Sequence, residues 1–308
     1  MPTLTDLRAL DLAQAQVNLW TVKGPTGPIA AEPVYSAKWV ETTDDLDDTL
    51  KAIFAEQLER IDEVLPYGLL AQNNESSALQ LPADETHMAT LMAAIAAETA
   101  QLKVTKTSHL SNSKFYVAKI IIGDRVIYAV KMAAKSWKTR QSRSVRSAIF
   151  QDQVLTVDER PHFELSRSFD FIVANGDILI ISKVRFESIL RYREAQQEAF
   201  DELQNDPDFR SLFVDIAPLV AHVGSNKIQL RRMCAVADKG HFRDSAFMNR
   251  LRTLQAEYGL AIMFDDDGLI IASPQTCSEI ITALLDHRLK SGFSTLVYDV
   301  QDTTPVAI

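Results

Sequence analysis

Apolar and polar positions alternate with period two over Val17-Asn18-Leu19-Trp20-Thr21-Val22, which predicts a strand running into the turn-forming Gly24-Pro25-Thr26-Gly27-Pro28. A second strand is expected over residues 35–40. The period then becomes helical: Leu46, Leu50, Ile53, Leu58 and Ile61 recur on one face, giving an amphipathic helix to about Val64. Thr43 is its N-cap candidate. Asp44, Asp45 and Asp47 fall in the first turn, where carboxylates suit the helix dipole, so capping accounts for them without a metal. Residues 71–83, polar around Asn73-Asn74-Glu75-Ser76-Ser77, read as a loop; 84–99 read as a short Ala/Met-rich helix and 103–113 as a linker.

Two hairpins are expected in the middle. Residues 115–122 and 126–131 flank Gly123-Asp124-Arg125, and residues 169–174 and 177–182 flank Asn175-Gly176. The Asn-Gly pair is the stronger signal, because a type I′ turn needs positive φ at both central positions. From Val184 the period is helical to about Gln204, and a more apolar helix follows over 209–223, kinked before Pro218. Then come a helix at 227–237, a Gly240 turn, and a longer helix at 243–258. A hairpin across Asp265-Asp266-Asp267-Gly268, a helix from Pro274 to about Leu289 and a strand at 295–300 close the chain. The expected fold class is α+β: a mixed N-terminal α/β module, central β-hairpins packed with helices, and a helix–helix–hairpin C-terminal part in winged-helix order.

Charge changes the picture. The 308 residues carry a formal net charge of -9, but residues 1–100 hold 16 Asp/Glu against 5 Lys/Arg while the remainder holds 25 against 27. The asymmetry suggests two modules, an acidic α+β domain over 1–105 and a second domain over 106–308, with any polyanion contact in the second.

Inside the second module lie two basic islands. Arg125, Lys131, Lys135, Lys138, Arg140, Arg143 and Arg146 follow one another with no acidic residue before Gln151, and Trp137 sits among them. Residues 227–252 carry Lys227, Arg231, Arg232, Lys239, Arg243, Arg250 and Arg252 against only Asp238 and Asp244. Phosphate is the natural counterpart of such clusters, and an aromatic among cations can stack on a base. A solvated basic face, or one paired with the protein's own acids, is the bland alternative. The candidate nucleic-acid contacts are Lys131, Lys135, Lys138, Arg140, Arg143, Arg146, Arg231, Arg232, Arg243 and Arg250.

Recognisable catalytic chemistry is absent. No GK[ST], strand-borne GxGxxG or GxSxG occurs, and no lysine has Asp or Glu two residues earlier. The six histidines are scattered and Cys234 and Cys277 form no CxxC, so no catalytic residue, metal site or cofactor is expected. Asp170, Asp177 and Glu187 are the carboxylates a metal-dependent nuclease would have to use, and all three have ordinary structural explanations. No window approaches the ~18–20 apolar residues of a membrane span, and the N-terminus lacks a signal pattern, so a cytoplasmic location is expected.

Three stretches carry a family resemblance. They are Phe169-Asp170-Phe171-Ile172-Val173-Ala174-Asn175-Gly176-Asp177-Ile178-Leu179-Ile180 running into Lys183-Val184-Arg185-Phe186-Glu187-Ser188-Ile189-Leu190; the strand Tyr128-Ala129-Val130-Lys131 before the basic run; and Leu285-Asp286 to Arg288-Leu289-Lys290-Ser291 followed by Tyr298-Asp299-Val300. Over roughly residues 113–302 the chain resembles the KwaB-like family of Kiwa anti-phage defence systems. The resemblance implies a non-enzymatic DNA-binding effector, duplex favoured, acting beside a small membrane-spanning KwaA-like partner at the inner face of the membrane. Only the Lys131 segment is matched to the family's basic stretch; the other contacts come from charge. A homodimer or higher homo-oligomer is expected, with hairpin edges pairing across a two-fold axis. Two other readings stay open: a nuclease with an unfamiliar site, and a scaffold whose acidic N-terminal part binds a membrane protein.

Overall fold

The alternating segments near the N-terminus form neighbouring strands of an eight-stranded sheet in the computed structural model, which describes residues 2–26, 34–84, 86–110, 112–133, 147–151, 154–158 and 163–302. The fold is α+β, as its patterning predicts. One compact unit holds Met1–Tyr67 and Asn73–Leu190; the other holds Gly68–Gln72 and Arg191–Ile308.

The first unit runs α1 (Pro2–Arg8), β1 (Gln16–Thr26), β2 (Val34–Val40), α2 (Asp44–Glu59), β3 (Glu63–Pro66), β4 (Ser77–Pro82) and α3 (Thr86–Ala94). It continues with β5 (Ser113–Ile122), β6 (Arg125–Met132), β7 (Ser147–Gln151), β8 (Val154–Asp158), β9 (Phe171–Ala174), β10 (Asp177–Ile180) and α4 (Lys183–Ile189). The large sheet has the order β2-β1-β5-β6-β9-β10-β4-β3, antiparallel except for β3 on β4, and β7 and β8 pair separately. Strands from both sides of residue 105 therefore share one sheet, with Trp20 facing Val117 across β1 and β5.

Both faces of the central strands are covered, which explains their near-continuous apolar runs. Tyr116, Ala118 and Ile120 of β5 pack with Leu50, Phe54 and Leu58 of α2 on one face. Phe115 and Val117 are also buried, from the other face. Lys119 emerges there, its ammonium satisfied by the Ala96 carbonyl at 3.0 Å and the Glu98 carboxylate at 2.7 Å.

Several local expectations differ from what forms. Residues 77–82, read within a loop, are β4, because Ala78 and Leu79 bury against the sheet once Leu79 pairs with Ile180. The segment at 103–113 is no free linker: Val104 N–H donates to the Trp39 carbonyl at 2.8 Å. Thr43 occupies the N-cap of α2, but its side chain makes no capping bond. The helix expected from Val184 to Gln204 breaks at Arg191, which adopts φ 60°.

The second unit holds α5 (Tyr192–Leu203), α6 (Pro207–Arg210), β11 (Phe213–Asp215), α7 (Ala217–Val223), α8 (Lys227–Lys239) and α9 (Ser245–Leu254). After these come β12 (Met263–Phe264), β13 (Ile270–Ile271), α10 (Cys277–Leu284), β14 (Arg288–Lys290) and β15 (Val297–Asp299). The apolar stretch at 209–223 is not one helix. Pro218 lacks an N–H and sits in the first turn of α7, while the Asp215 carboxylate caps the Ala217 N–H at 2.9 Å. The expected helix–helix–hairpin order is present as α8, α9 and β12–β13, with β11 added parallel to β13. Its core gathers Phe209, Leu219, Met233, Phe242, Ile270 and Ile281. No helix among the described residues is long and apolar enough to cross a membrane.

Candidate nucleic-acid interface

The first basic island begins on β6 of the large sheet, which ends at Met132. Lys131 pairs with Tyr116 of β5 in the strand register, and its ammonium lies 2.9 Å from Asp170 Oδ1 and 3.2 Å from Ser168 Oγ. The other Asp170 oxygen accepts the Met132 N–H at 2.7 Å. Asp170 is 2% exposed, so this carboxylate is an interior group matched by one cation and one amide. The sequence made Lys131 a phosphate contact; the structure commits its charge to the protein's own aspartate. Lys135, Lys138, Arg140, Arg143 and Arg146, with Trp137, lie outside the described residues.

A pocket of about 500 Å³ opens at this exit, lined among others by Tyr116, Lys131, Glu164, Ser166, Asp170 and Arg185. Burial pushes the Tyr116 phenol up to about 12, against a Ser166 N–H bond that favours the phenolate, with the Asp170 charge adding to the rise. Arg185 is exposed and donates to the Met132 thioether at 3.0 Å. Charge counting passed over Arg185 because it stands apart from both runs, two residues before Glu187. Its proximity to Met132 follows from β6, β9 and β10 lying side by side, which no local pattern encodes.

The second island divides by role. Arg232 donates to Thr282 Oγ1 at 2.7 Å, and burial lowers its pKa against the opposing pull of Asp299. Lys239 donates to the Leu285 carbonyl at 3.2 Å, and burial lowers its pKa too. Arg243 meets Asp206 at 2.6 Å and covers the Phe242 ring at 4.3 Å. Arg252 ties α9 to the hairpin turn through the Gly268 carbonyl at 2.9 Å. Arg231 is half-buried on α8. Arg250 is exposed on α9 and lines a 360 Å³ pocket with Arg288 and Lys290, which are themselves paired with Asp299 and Glu257. Of the four sequence-predicted cations here, Arg250 is the one presented to solvent with no ion pair among the described residues.

The carboxylates a nuclease would need are dispersed. Asp177 accepts from Gln80 at 2.8 Å at one end of β10, whereas Asp170 is locked to Lys131 near the other. Glu187 is 4% exposed and accepts the Tyr67 hydroxyl at 3.3 Å. Asp265 Oδ1 accepts the Asp267 and Leu269 N–H groups, so the acidic hairpin turn is built by its own backbone. No group of three or more His, Cys, Asp or Glu among the described residues is placed to hold a metal ion.

No curated protein and no solved structure matches the chain. A family model described as Kiwa protein KwaB-like matches residues 110–293, which takes in β5 to β14, the β6 exit with its pocket, and the whole second island. That match spans more than half of the chain, so the protein belongs to the KwaB-like family, and this membership implies a role in Kiwa anti-phage defence.

Proposed function

We propose that this protein is a non-enzymatic, DNA-binding effector of Kiwa defence that grips phage duplex DNA and blocks its replication or transcription. It acts as a homo-oligomer beside a small membrane-spanning KwaA-like partner, which recruits it to the inner face of the membrane. The observation that carries the reading is the five-cation, carboxylate-free run from Lys135 to Arg146 in a chain of net charge -9. A stretch of that length without an acid is the electrostatic signature of a polyanion site. Because Lys131, Arg232 and Arg243 have internal partners, the phosphate contacts fall to Lys135, Lys138, Arg140, Arg143 and Arg146, with Arg250 of α9 contributing.

The decisive experiment is a gel-shift series on duplex DNA over salt. With ~6–10 phosphate contacts, affinity falls by about 10³ to 10⁵ between roughly 50 and 200 mM salt. Charge reversal at Lys138, Arg140 and Arg143 together abolishes the shift and leaves the melting temperature unchanged. A triple variant that binds like the parent defeats this assignment. Incubating plasmid with Mg²⁺ or Mn²⁺ separates the enzymatic reading: retardation without cleavage supports a binder, and cleavage overturns it.

A further inference from the structure

The pocket at the β6 exit has a floor whose charge is already cancelled, since Lys131 and Asp170 pair at 2.9 Å. Its wall is different. Arg185 is exposed on α4, and its only hydrogen-bond partner among the described residues is the Met132 thioether at 3.0 Å. A thioether is a weak acceptor, so the guanidinium keeps nearly all of its forked donors and its full charge for something outside the protein. Ser166 lines the same space, and the next residue, Arg167, is exposed with no ion pair among the described residues. Glu164, the other acid of the lining, is also exposed. The basic run continues with Lys135, two residues beyond Ala133, another residue of the lining.

We propose that this pocket is a phosphodiester-binding subsite in which Arg185 holds a phosphate bidentately through its N–H fork, with Arg167 adding charge at the rim. This rests on the DNA-binding reading above and extends it to cations outside both basic islands. A planar guanidinium suits the role better than an ammonium, because two parallel donors fix the orientation of the phosphate as well as neutralising it.

The test uses the full chain and duplex DNA in fluorescence anisotropy across a salt series. Arg125 is the control: it is exposed on the same strand, paired with Ile122 at the opposite end of β6. R185A weakens binding about tenfold and lowers the salt slope by about 1, while R125A changes neither. R185K restores the slope but not the affinity. A parent-like R185A, or an R125A with the same loss as R185A, overturns the subsite while leaving DNA binding intact. Absence of duplex binding by the parent protein defeats the underlying reading instead. In that case thermal melts with inorganic phosphate decide: a stabilisation lost in R185A keeps an anion subsite, and no stabilisation removes it.

Discussion

The Lys131 ammonium and the Asp170 carboxylate, 39 residues apart in the chain, meet at 2.9 Å with only 17% and 3% of their side chains exposed. The same carboxylate receives the Met132 N–H, and the Asp170 backbone carbonyl receives the Ile181 and Ser182 N–H groups. One residue therefore joins the end of β6 to the end of β10.

Breaking this pair from one side leaves an unmatched charge in the interior. Asp170→Leu should cost about 3–5 kcal/mol, since it strands Lys131 and the Met132 amide together. The double variant D170L/K131M should lose far less than the sum of the two single changes, because an apolar pair needs no solvation. Urea denaturation of the four proteins measures this coupling. Additive losses would show that the pair is not energetically linked.

The Asn175-Gly176 turn gives a cleaner case, since packing does not enter. Gly176 has φ 82°, Asn175 has φ 53°, and a Cβ built on Gly176 meets nothing within 4 Å. Gly176→Ala should therefore destabilise by about 1 kcal/mol purely through the left-handed backbone. A calorimetric melt should show a lower Tm with unchanged far-ultraviolet circular dichroism. A loss of several kcal/mol would point to a clash that the geometry lacks.

That turn was legible in the sequence because its chemistry is local: two residues, both needing positive φ, between apolar runs. The α2 start was legible for a similar reason, three aspartates at a helix dipole, although Thr43 contributes only its position. β4 was not, because Ser77 to Pro82 is a strand only when Ile180 lies opposite Leu79, a pairing about a hundred residues distant. The break at Arg191 was invisible as well; neither glycine nor proline marks it, and a left-handed arginine is set by its surroundings. Of the candidate site, the basic islands were plain as composition. Which cations are paired within the protein depended on Asp170, Asp206 and Thr282, none of which any spacing rule places beside its partner.

The two thiols should be silent in the native protein. Burial, helped by the Asp238 charge, pushes Cys234 up to about 12, and burial also raises Cys277, which is fully enclosed. Since the thiolate is the reactive form, a disulfide reagent at neutral pH should label neither until denaturant is added, after which both should react. Rapid native labelling of Cys234 would contradict its burial on α8 against the Gln196 carbonyl of α5.

His287 supplies a pH dependence of definite sign. It is 3% exposed, its Nε2 lies 3.3 Å from the Lys239 ammonium, and burial with that neighbouring cation lowers its pKa from 6.5 to about 4. Folded protein thus holds the neutral ring through a range in which the unfolded chain takes up a proton. The stabilisation is complete above about 6.5 and is lost as the pH falls toward 4, with a slope of at most about 1.4 kcal/mol per pH unit from this one group. Carboxylates elsewhere also shape the acid limb, so the informative comparison is with His287→Gln. Between about pH 7 and pH 5 the parent should lose more of its Tm than the variant does. Parallel melting curves across that window would place the ring in water in the native state, contrary to its burial and its contact with the Lys239 ammonium.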